Sequence, residues 1–262
     1  MERDVYFSTT NNDKLLGKIR LANSSDQEDD PLSQREMVIL SHSYGSHLDS
    51  KTTMQNVATA LSDRGIDSLR YSFWGCKGSE GDFKKNTITQ YIKDLESAIT
   101  FSKTLGYHNI SLYGFSCGGH VALNVAKNDP SIKKVAVVGA VLDYPAQRAR
   151  RLSEIVMQTW EREGVLEFPN YGGDREVEYS FIEDASQHIL LNKDATINEL
   201  ARIHCPVLLL HGTEDREVPY SQSQRAADHL SNSTLQLYQG DDHWLRGNYQ
   251  NAAENIAKWF SE

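Results

Sequence analysis

The stretch SLYGFSCGGHVALN, residues 111–124, places a serine between two glycines, after an apolar run and before a segment of helical character. Gly114 to Gly118 match the pattern G-x-S-x-G, which presents a nucleophilic serine on a sharp turn between a strand and a helix. In that turn the serine is strained, so the residues two before and two after it must be small. The alternative is an ordinary tight turn. The strand–turn–helix context favours the first interpretation and makes Ser116 the predicted nucleophile.

Short apolar runs alternate with longer amphipathic segments on both sides of this stretch. Several runs are apolar almost throughout, as is typical of strands covered on both faces. The alternation predicts an α/β protein with a doubly wound, mostly parallel sheet. An N-terminal hairpin and an acidic, serine-rich loop at 23–31 precede it. The predicted strands are 37–41, 67–72, 110–114, 135–140, 207–211 and 234–238, and the predicted helices include 52–65, 89–106 and 221–230.

One connection is too long for a simple crossover. A helix that joins neighbouring parallel strands needs a dozen or so residues, whereas residues 143–205 form a much longer segment. We predict an inserted cap there, between the sixth and seventh core strands, beyond the strand ends where such sheets bind ligands. The core then comprises residues 1–142 and 206–262. Within the cap the sequence predicts a helix over 146–163, a loop around Tyr171-Gly172-Gly173 and an amphipathic stretch near 179–192.

The predicted nucleophile needs a general base, because a serine hydroxyl is a poor nucleophile at neutral pH. Of the nine histidines, His243 directly follows the last predicted strand, at the edge where loops converge on the serine turn. His211 ends a strand and His42 follows one. We expect these two to be structural, with hydrogen bonds to neighbouring loops. His243 is therefore the predicted base.

The base needs a carboxylate to orient it. Asp215 follows the penultimate strand by four residues, before Pro219 opens a helix. The chain order Ser116, Asp215, His243 is that of α/β-hydrolase triads. The rival carboxylates are Glu214, Glu217, Asp241 and Asp242, of which the last two are too near His243 in sequence to reach its ring from behind.

An acyl-transfer site also needs N–H donors for the oxyanion. The backbone of Cys117, directly after the nucleophile, is one predicted donor. The second is expected from the loop after strand 37–41, where Tyr44 is the candidate. Cys117 is not expected to be a nucleophile itself, since a turn centred on it would need glycine at Phe115. Its thiol is expected to pack inward.

Four aromatic residues lie near the expected cleft, and each can either line a pocket or pack beneath a loop. Of these, Tyr144 and Trp244 are the candidate substrate contacts, and packing is favoured for Trp74. Asp143, at the end of a strand that faces the cleft, is a candidate acceptor for a substrate hydroxyl. The remaining aromatic residue is Tyr44.

Three arginines open the predicted cap, at 148, 150 and 151. One hypothesis is that they anchor a substrate carboxylate. The alternative is a solvated helix surface, which is the usual place of such charges.

Charge and composition narrow the classes of partner. The 262-residue chain has a net charge of −9, which disfavours nucleic acid and anionic membranes as partners. No apolar run is long enough to span a bilayer, and no secretory signal is visible. Three widely spaced cysteines argue against a disulfide framework or a zinc site and fit a reducing cytoplasm. We expect a cytoplasmic protein without metal or cofactor, acting on a small molecule, and the sequence leaves a homodimer open.

From about residue 37 to its end the chain resembles the α/β-hydrolase serine esterases, in particular the small capped group that includes bacterial cinnamoyl (feruloyl) esterases. The resemblance implies Ser116 as nucleophile, His243 as base and Asp215 as acid. It also implies oxyanion donors at Tyr44 and Cys117. It rests on YSFWGCKGSEGDF (71–83), GFSCGG (114–119), HGTEDREVP (211–219) and STLQLYQGDDHWLRGNYQNAAENIAKWF (233–260).

This chain departs from the family pattern in two places. His42-Ser43 stands where relatives usually have His-Gly, and Ser43 fits only if that position does not require a positive φ. The serine turn has phenylalanine before Ser116 and cysteine after it, where relatives more often have histidine and glutamine. A phenolic-acid preference therefore does not transfer from the family.

These patterns together predict a serine hydrolase that cleaves small carboxylic esters, with aryl or hydroxycinnamoyl esters among the candidates. The same three residues also serve thioesterases and hydrolases of small amides or peptides. A ligand-binding protein on a hydrolase scaffold is the alternative outside the enzymes.

Overall fold

The computed structural model describes residues 2–23, 31–168, 175–191 and 198–262, and its centre is an eight-stranded sheet. The strands are β1 Glu2–Ser8, β2 Lys14–Arg20, β3 Glu36–Ser41, β4 Asp67–Tyr71, β5 Asn109–Phe115, β6 Val135–Val138, β7 Val165–Phe168, β8 Arg175–Glu178, β9 Val207–Gly212 and β10 Ser233–Tyr238. The order in the eight-stranded sheet is β1-β2-β4-β3-β5-β6-β9-β10, and from β4 to β10 each neighbouring pair in this order is parallel, as predicted. The predicted fold class is confirmed.

The predicted N-terminal hairpin is present at one edge of this sheet. Strands β1 and β2 pair antiparallel, and β2 then pairs antiparallel with β4. Gly17 of β2 lies where an added Cβ would come within 3.0 Å of the Leu69 side chain, so a larger residue would not fit without movement. Most of the predicted loop at 23–31 lies outside the described residues.

Helices cover both faces of the sheet. They are α1 Asn56–Ser62, α2 Ile88–Thr104, α3 Cys117–Ala126, α4 Tyr144–Arg151, α5 Glu154–Glu163, α6 Ser180–Ala185, α7 Ser221–His229 and α8 Tyr249–Ser261. Alternate residues of β3 show why its sequence is apolar throughout: Ile39 joins the core under α2 and α3, whereas Leu40 joins the core under α1 and α8. Full burial of each such side chain contributes about 1.5–3 kcal/mol.

The predicted insertion between the sixth and seventh sheet strands is confirmed, and it lies between β6 and β9. The predicted single helix over 146–163 is wrong, because the chain is extended at Leu152 and two helices form. Ser153 ends the interruption by accepting a hydrogen bond from the Val156 N–H, which caps α5. A hairpin of β7 and β8 follows, which the sequence did not predict. The predicted loop around Tyr171-Gly172-Gly173 lies outside the described residues.

The inserted segment packs into the core. Trp160 of α5 is fully buried and donates its indole N–H to the Val177 carbonyl of β8. Trp160 and Phe181 of α6 belong to the same hydrophobic cluster as Leu95 of α2. The division into a core and a cap at residues 143 and 205 stays a prediction.

A buried carboxyl on α2 gives the fold a predicted pH response. Asp94 accepts hydrogen bonds from the Trp74 N–H and from the Gln90 side-chain amide, both at 2.8 Å. Burial raises the pKa of Asp94 to about 7, against the effect of these two bonds. The folded state therefore binds more protons than the unfolded state between about pH 4 and pH 7, so this group makes stability fall as pH rises through that window.

We expect Asp94→Asn to remove this slope. The difference in the free energy of unfolding, variant minus wild type, should increase by on the order of 2–3 kcal/mol when the pH is raised from 5 to 8, because only wild type loses stability over this range. The Gln90 amide can turn so that its oxygen accepts from the new Asn. Urea unfolding at the two pH values checks this, with the exposed Asp228→Asn as control. An equal effect of Asp94→Asn at both pH values would contradict the prediction.

Candidate active site

Ser116 occupies a strained turn between β5 and α3. Its backbone has φ 53° and ψ −109°, a left-handed conformation that a residue with a side chain adopts at a cost of about 1–3 kcal/mol. The Ser116 N–H donates to the Val138 carbonyl at 2.8 Å, and its carbonyl accepts from the His120 N–H at 3.1 Å. These bonds to β6 and α3 hold the turn, so the strain is kept in the folded state.

The glycines of the motif are required by close backbone approach. A Cβ on Gly114 would collide with the Gly118 carbonyl, and a Cβ on Gly118 would collide with the Ser41 carbonyl of β3. A Cβ on Gly119 would come within 2.9 Å of the Ala140 side chain. The small residues predicted from the motif thus let α3 begin directly behind the serine.

Asp215 lies in the loop after β9 and has all its acceptor positions in use. Its Oδ1 accepts from the backbone N–H groups of Glu217 and Val218, each at 2.8 Å. Its Oδ2 lies 2.6 Å from His243 Nδ1 and 2.9 Å from His211 Nε2. Two histidines therefore donate to one carboxylate oxygen.

These contacts determine the charge of Asp215. Burial by itself would raise its pKa, but the hydrogen bonds from His211 and His243 outweigh burial and hold the pKa of Asp215 well below its usual range. A lowered carboxyl pKa contributes stability above the unfolded value near pH 4, and that contribution is lost only as the pH falls through the folded value. The ring of His243 therefore faces an anion throughout the neutral range.

Both ring nitrogens of His211 have hydrogen-bond partners. Its Nε2 faces two acceptors, Asp215 Oδ2 and the Val218 carbonyl at 3.0 Å, so Nε2 carries the proton. Its Nδ1 is hydrogen-bonded to the Ser223 hydroxyl at 2.7 Å. The expected structural role of His211 is borne out by these bonds, but the sequence did not indicate that it would bond to Asp215.

Replacing His211 should remove one of the hydrogen bonds that stabilise the ionised carboxylate of Asp215. We expect His211→Leu to raise the pKa of Asp215 and to lower kcat/KM about 10- to 100-fold, the value of a hydrogen bond to a charged group. His211→Gln keeps an N–H donor near the same position and should restore most of the loss. The measurement is kcat/KM from pH 4.5 to 8. Equal losses in both variants, with no shift of the acid limb, would contradict this prediction.

The loop after β10 carries His243 and is anchored by a carboxylate of its own. Asp241 accepts from the Gly247 N–H at 3.0 Å and from the Asn248 side chain at 2.9 Å. Its carbonyl accepts from the Glu214 N–H at 2.9 Å, which ties this loop to the Asp215 loop. The side chain of Asp242 bonds to Arg246. The rival carboxylates beside His243 thus have partners elsewhere in the loop.

Ser116 and His243 line one cavity of about 330 Å³ beneath α4. Tyr144 and Trp244 line it too, and Trp244 is 37% exposed at its rim. The sequence missed the polar part of the lining, because it comes from the segment after β3, from α4 and from the loop after β9, and no local pattern reveals how these segments are oriented. The polar residues of that part are Ser46, His47, Ser50, Thr53, Gln147 and Glu217.

The loop after β3 carries Tyr44, whose role as an oxyanion donor stays a prediction. Tyr44 lines the cavity, and Ser43 has no positive φ, so serine is accommodated where relatives have glycine. His42 fixes this loop, because its Nδ1 donates to the Ser43 carbonyl at 2.7 Å and its Nε2 accepts from the Phe73 N–H at 3.0 Å. Burial lowers the pKa of His42 to about 3, so the ring stays neutral.

The second predicted donor is the backbone of Cys117, the first residue of α3. The free N–H groups and the dipole at this helix end favour a negative charge beside Ser116. The Cys117 thiol is fully buried, and burial raises its pKa to about 12. A thiol of that kind is inert, in agreement with the expected inward packing.

One predicted contact, Asp143, is absent from the cavity lining, and so is Trp74, for which packing was the favoured expectation. Asp143 caps α4 by accepting a hydrogen bond from the Ala146 N–H at 3.0 Å, and it is not among the residues that line the cavity. Its proposed contact with a substrate hydroxyl gains no support. Trp74 donates its indole N–H to Asp13 at 3.0 Å, and it too is absent from the lining.

The described residues contain neither a cluster of metal-binding side chains nor a helix that could span a membrane. No group of three or more histidine, cysteine or carboxylate side chains there is arranged to hold a metal ion. No helix in those ranges has the length and apolar character needed to cross a membrane.

Curated relatives match this chain over part of their length. The human palmitoyl-protein thioesterase ABHD10, mitochondrial, is 29% identical over 185 residues, which cover 68% of this chain and 57% of that protein. The human serine hydrolase BPHL is 28% identical over 177 residues, which cover 64% of this chain and 60% of that protein. The chain thus spans little more than half the length of these relatives.

Solved structures share the fold at low sequence identity. Est1E from Butyrivibrio proteoclasticus with bound ferulic acid superposes with a TM-score of 0.82 at 19% identity, covering 98% of this chain and 97% of that one. The mouse α/β hydrolase domain-containing protein 10 superposes with a TM-score of 0.77 at 20% identity, covering 98% of each chain.

Family comparison covers most of the chain. The family described as TAP-like protein matches residues 190–261. The family described as serine aminopeptidase, S33, matches residues 33–170, more than half of the chain. The chain therefore belongs to that family of α/β-hydrolases.

Proposed function

We propose that this protein is a serine hydrolase that cleaves small carboxylic esters through an acyl-enzyme on Ser116. The observation that carries the proposal is the 2.6 Å hydrogen bond between Asp215 and His243, because His243 lines the same cavity as the strained Ser116. A serine on a strained turn, a histidine in the same cavity and a buried carboxylate bonded to that histidine are the parts that acyl transfer requires.

The first half-reaction forms the acyl-enzyme. His243 Nδ1 donates to Asp215, which leaves Nε2 to accept the Ser116 proton as the hydroxyl oxygen attacks the ester carbonyl. The tetrahedral oxyanion is stabilised by the backbone N–H groups of Cys117 and Tyr44, each worth about 2.7–4 kcal/mol of barrier. Collapse breaks the bond to the alcohol, which leaves with the proton from His243.

The second half-reaction regenerates the serine. His243 removes a proton from water, which attacks the acyl carbonyl through the same oxyanion site. The acid leaves, and the proton returns from His243 to the Ser116 oxygen. Asp215 stabilises the imidazolium that forms in each half-reaction.

The size and lining of the cavity favour a short acyl group. Its volume of about 330 Å³ is at the lower end of the roughly 300–1,000 Å³ of small-molecule sites. Hydroxyl, amide and charged side chains alternate with Tyr144, Val141 and Trp244 along its wall. A long saturated chain would leave many of these polar groups without partners.

Thioester hydrolysis is the second candidate, because a curated relative is described as a palmitoyl-protein thioesterase. The ferulic acid bound to Est1E makes a hydroxycinnamoyl ester one candidate among the small carboxylic esters. The same residues would act on either bond. Cytoplasmic location and a homodimer stay predictions.

The test compares kcat/KM for p-nitrophenyl butanoate, p-nitrophenyl palmitate and the S-butanoyl thioester of thiophenol. We expect the butanoate oxygen ester to be hydrolysed at least ten-fold better than the palmitate. Preference for palmitate would overturn the assignment of a small ester, and turnover of the thioester alone would favour the second candidate.

A further inference from the structure

The carboxyl end of β6 contacts all three residues that we propose act in catalysis. The carbonyl of Val138 accepts a hydrogen bond from the Ser116 N–H at 2.8 Å. A Cβ built on the next residue, Gly139, would lie 3.1 Å from both Cε1 and Nδ1 of His243. The same Cβ would lie 3.5 Å from Asp215 Oδ2. The backbone of Gly139 therefore lies directly beside the hydrogen bond that joins His243 to Asp215.

Gly139 differs from an ordinary residue in two ways. Its backbone has φ 56°, a left-handed conformation that glycine adopts without steric cost. Its missing side chain also leaves room for the imidazole, because 3.1 Å between a Cβ and a ring atom is shorter than an ordinary van der Waals contact. The first property concerns the backbone alone and the second concerns His243, so suitable variants can distinguish them.

The sheet holds Gly139 in place. Its N–H donates to the Leu210 carbonyl of β9 at 3.0 Å. The preceding residue, Val138, pairs with Phe115 of β5 and with Leu210 of β9. Because β6 is hydrogen-bonded on both sides, a side chain at position 139 would displace the ring of His243 rather than the strand.

The ring of His243 has little room in which to move. The residue is 5% exposed, and its ring centroid lies 5.1 Å from that of Phe115 and 5.3 Å from that of Trp244. Its Nδ1 lies 2.6 Å from Asp215 Oδ2. Any shift away from β6 would change the length of this hydrogen bond or the direction of Nε2. Both affect the rate, since proton transfer needs a base within hydrogen-bond reach.

We propose that Gly139 is a positioning residue for His243. By carrying no side chain it lets the imidazole lie close to β6, where Nδ1 reaches Asp215 and Nε2 is directed toward Ser116. Gly139 acts through the ring and takes no part in the bond changes. This inference rests on the proposed hydrolase function and adds a residue that was not among the candidates from the sequence. Misplacement by about 1 Å can lower a catalysed rate by about 100-fold.

The test compares Gly139→Ala with Gly164→Ala. Gly164 ends α5 with φ 73°, and a Cβ built there would meet none of the described residues within 4 Å apart from the adjoining backbone. This control therefore carries the backbone strain without the contact. Gly139→Ala should lower kcat for p-nitrophenyl butanoate about 10- to 100-fold, with KM changed less than about three-fold. Labelling of Ser116 by a fluorophosphonate should slow by the same factor as kcat. Gly164→Ala should keep the wild-type kcat, KM and labelling rate.

A proton NMR signal gives a readout that does not depend on turnover. The short hydrogen bond between His243 Nδ1 and Asp215 should strongly deshield its proton, and His243→Ala identifies the signal by removing it. Gly139→Ala should shift this signal because the ring moves, whereas Gly164→Ala should leave it in place. A variant that is merely less stable keeps the wild-type signal in its folded molecules.

Two results would overturn the inference and leave the hydrolase function intact. One is a wild-type kcat in Gly139→Ala, and the other is a lowered kcat with an unshifted proton signal. Failure of wild type both to hydrolyse the ester and to take up the fluorophosphonate would instead refute the proposed function, on which the inference rests.

A double variant covers the case in which Gly139→Ala does not fold. If the added methyl group fails to fit because of the imidazole, His243→Ala should make room for it. The double variant Gly139→Ala/His243→Ala should then fold, with a Tm below that of His243→Ala by no more than Gly164→Ala loses relative to wild type. A double variant that also fails to fold would assign the requirement for glycine to the backbone alone and overturn the inference.

Discussion

Ser116→Ala is expected to lower kcat by roughly 10⁴- to 10⁶-fold and to leave the fold intact. The hydroxyl is the proposed attacking group, and nothing else in that turn can form the acyl-enzyme, since the Cys117 thiol is fully buried. Alanine keeps the Cβ and therefore the backbone strain of the φ 53° conformation. The measurement is single-turnover and steady-state hydrolysis of p-nitrophenyl butanoate, with far-UV circular dichroism to verify folding.

A second substitution at Ser116 distinguishes the effect of backbone strain on stability from the effect of the hydroxyl on activity. Ser116→Gly should be as inactive as Ser116→Ala but more stable, because glycine adopts a positive φ without steric cost. The strain relieved is about 1–3 kcal/mol, which corresponds to a rise of at least a few degrees in Tm over Ser116→Ala for a chain of this size. Equal Tm values for the two variants would contradict the account of a strained turn. Retained activity in either would contradict Ser116 as nucleophile.

Asp215→Asn is expected to lower kcat about 10³- to 10⁴-fold and also to destabilise the protein. Each oxygen of Asp215 accepts two N–H groups, from His243 and His211 on one side and from Glu217 and Val218 on the other. An asparagine places an NH₂ group against one of these donor pairs in either orientation. A buried pair of donors left without an acceptor costs about 1–3 kcal/mol.

The control for this variant is Glu214→Gln. Glu214 is the exposed neighbour of Asp215 and was a rival for its role in the sequence. It should keep wild-type kcat and Tm. Loss of activity in Glu214→Gln comparable with that in Asp215→Asn would contradict the assignment, as would an Asp215→Asn variant with wild-type kinetics.

The fold could be predicted because its signals are local. Strands such as β3 and β9 are apolar at every position since both faces are covered, and that composition is visible in a short window. The serine turn is equally local, because two glycines at fixed spacing are demanded by backbone contact with Ser41 and Gly118. Asp215 and His243 could be selected as candidates because each comes shortly after a predicted strand.

The secondary structure of the inserted segment between β6 and β9 was harder to predict from the sequence. An amphipathic period continues across Leu152 and Ser153, so the break between α4 and α5 leaves no gap in the pattern. Strand β8 reads Arg-Glu-Val-Glu and lacks the β-branched content that signals a strand. Asp143 directly precedes α4, and its side chain caps that helix by accepting a hydrogen bond from the Ala146 N–H. The sequence position of Asp143 had suggested a contact with substrate instead.

Side-chain orientation was the other limit. His211 ends a strand in the sequence, but only the fold brings its Nε2 to the same oxygen that His243 uses. Arg148 and Arg150 are the same residue type and lie on the same helix, α4. Which of them faces the cavity depends on how α4 lies over the sheet, and that is set by tertiary packing.

The most direct test of Ser116 as the nucleophile is covalent labelling with a fluorophosphonate, read by intact-protein mass spectrometry and peptide mapping. The account predicts one adduct per chain on wild type, located at Ser116, with loss of p-nitrophenyl butanoate hydrolysis in proportion to labelling and no adduct on Ser116→Ala. Folded wild-type protein that takes up no probe, or an adduct that persists in Ser116→Ala, would contradict it.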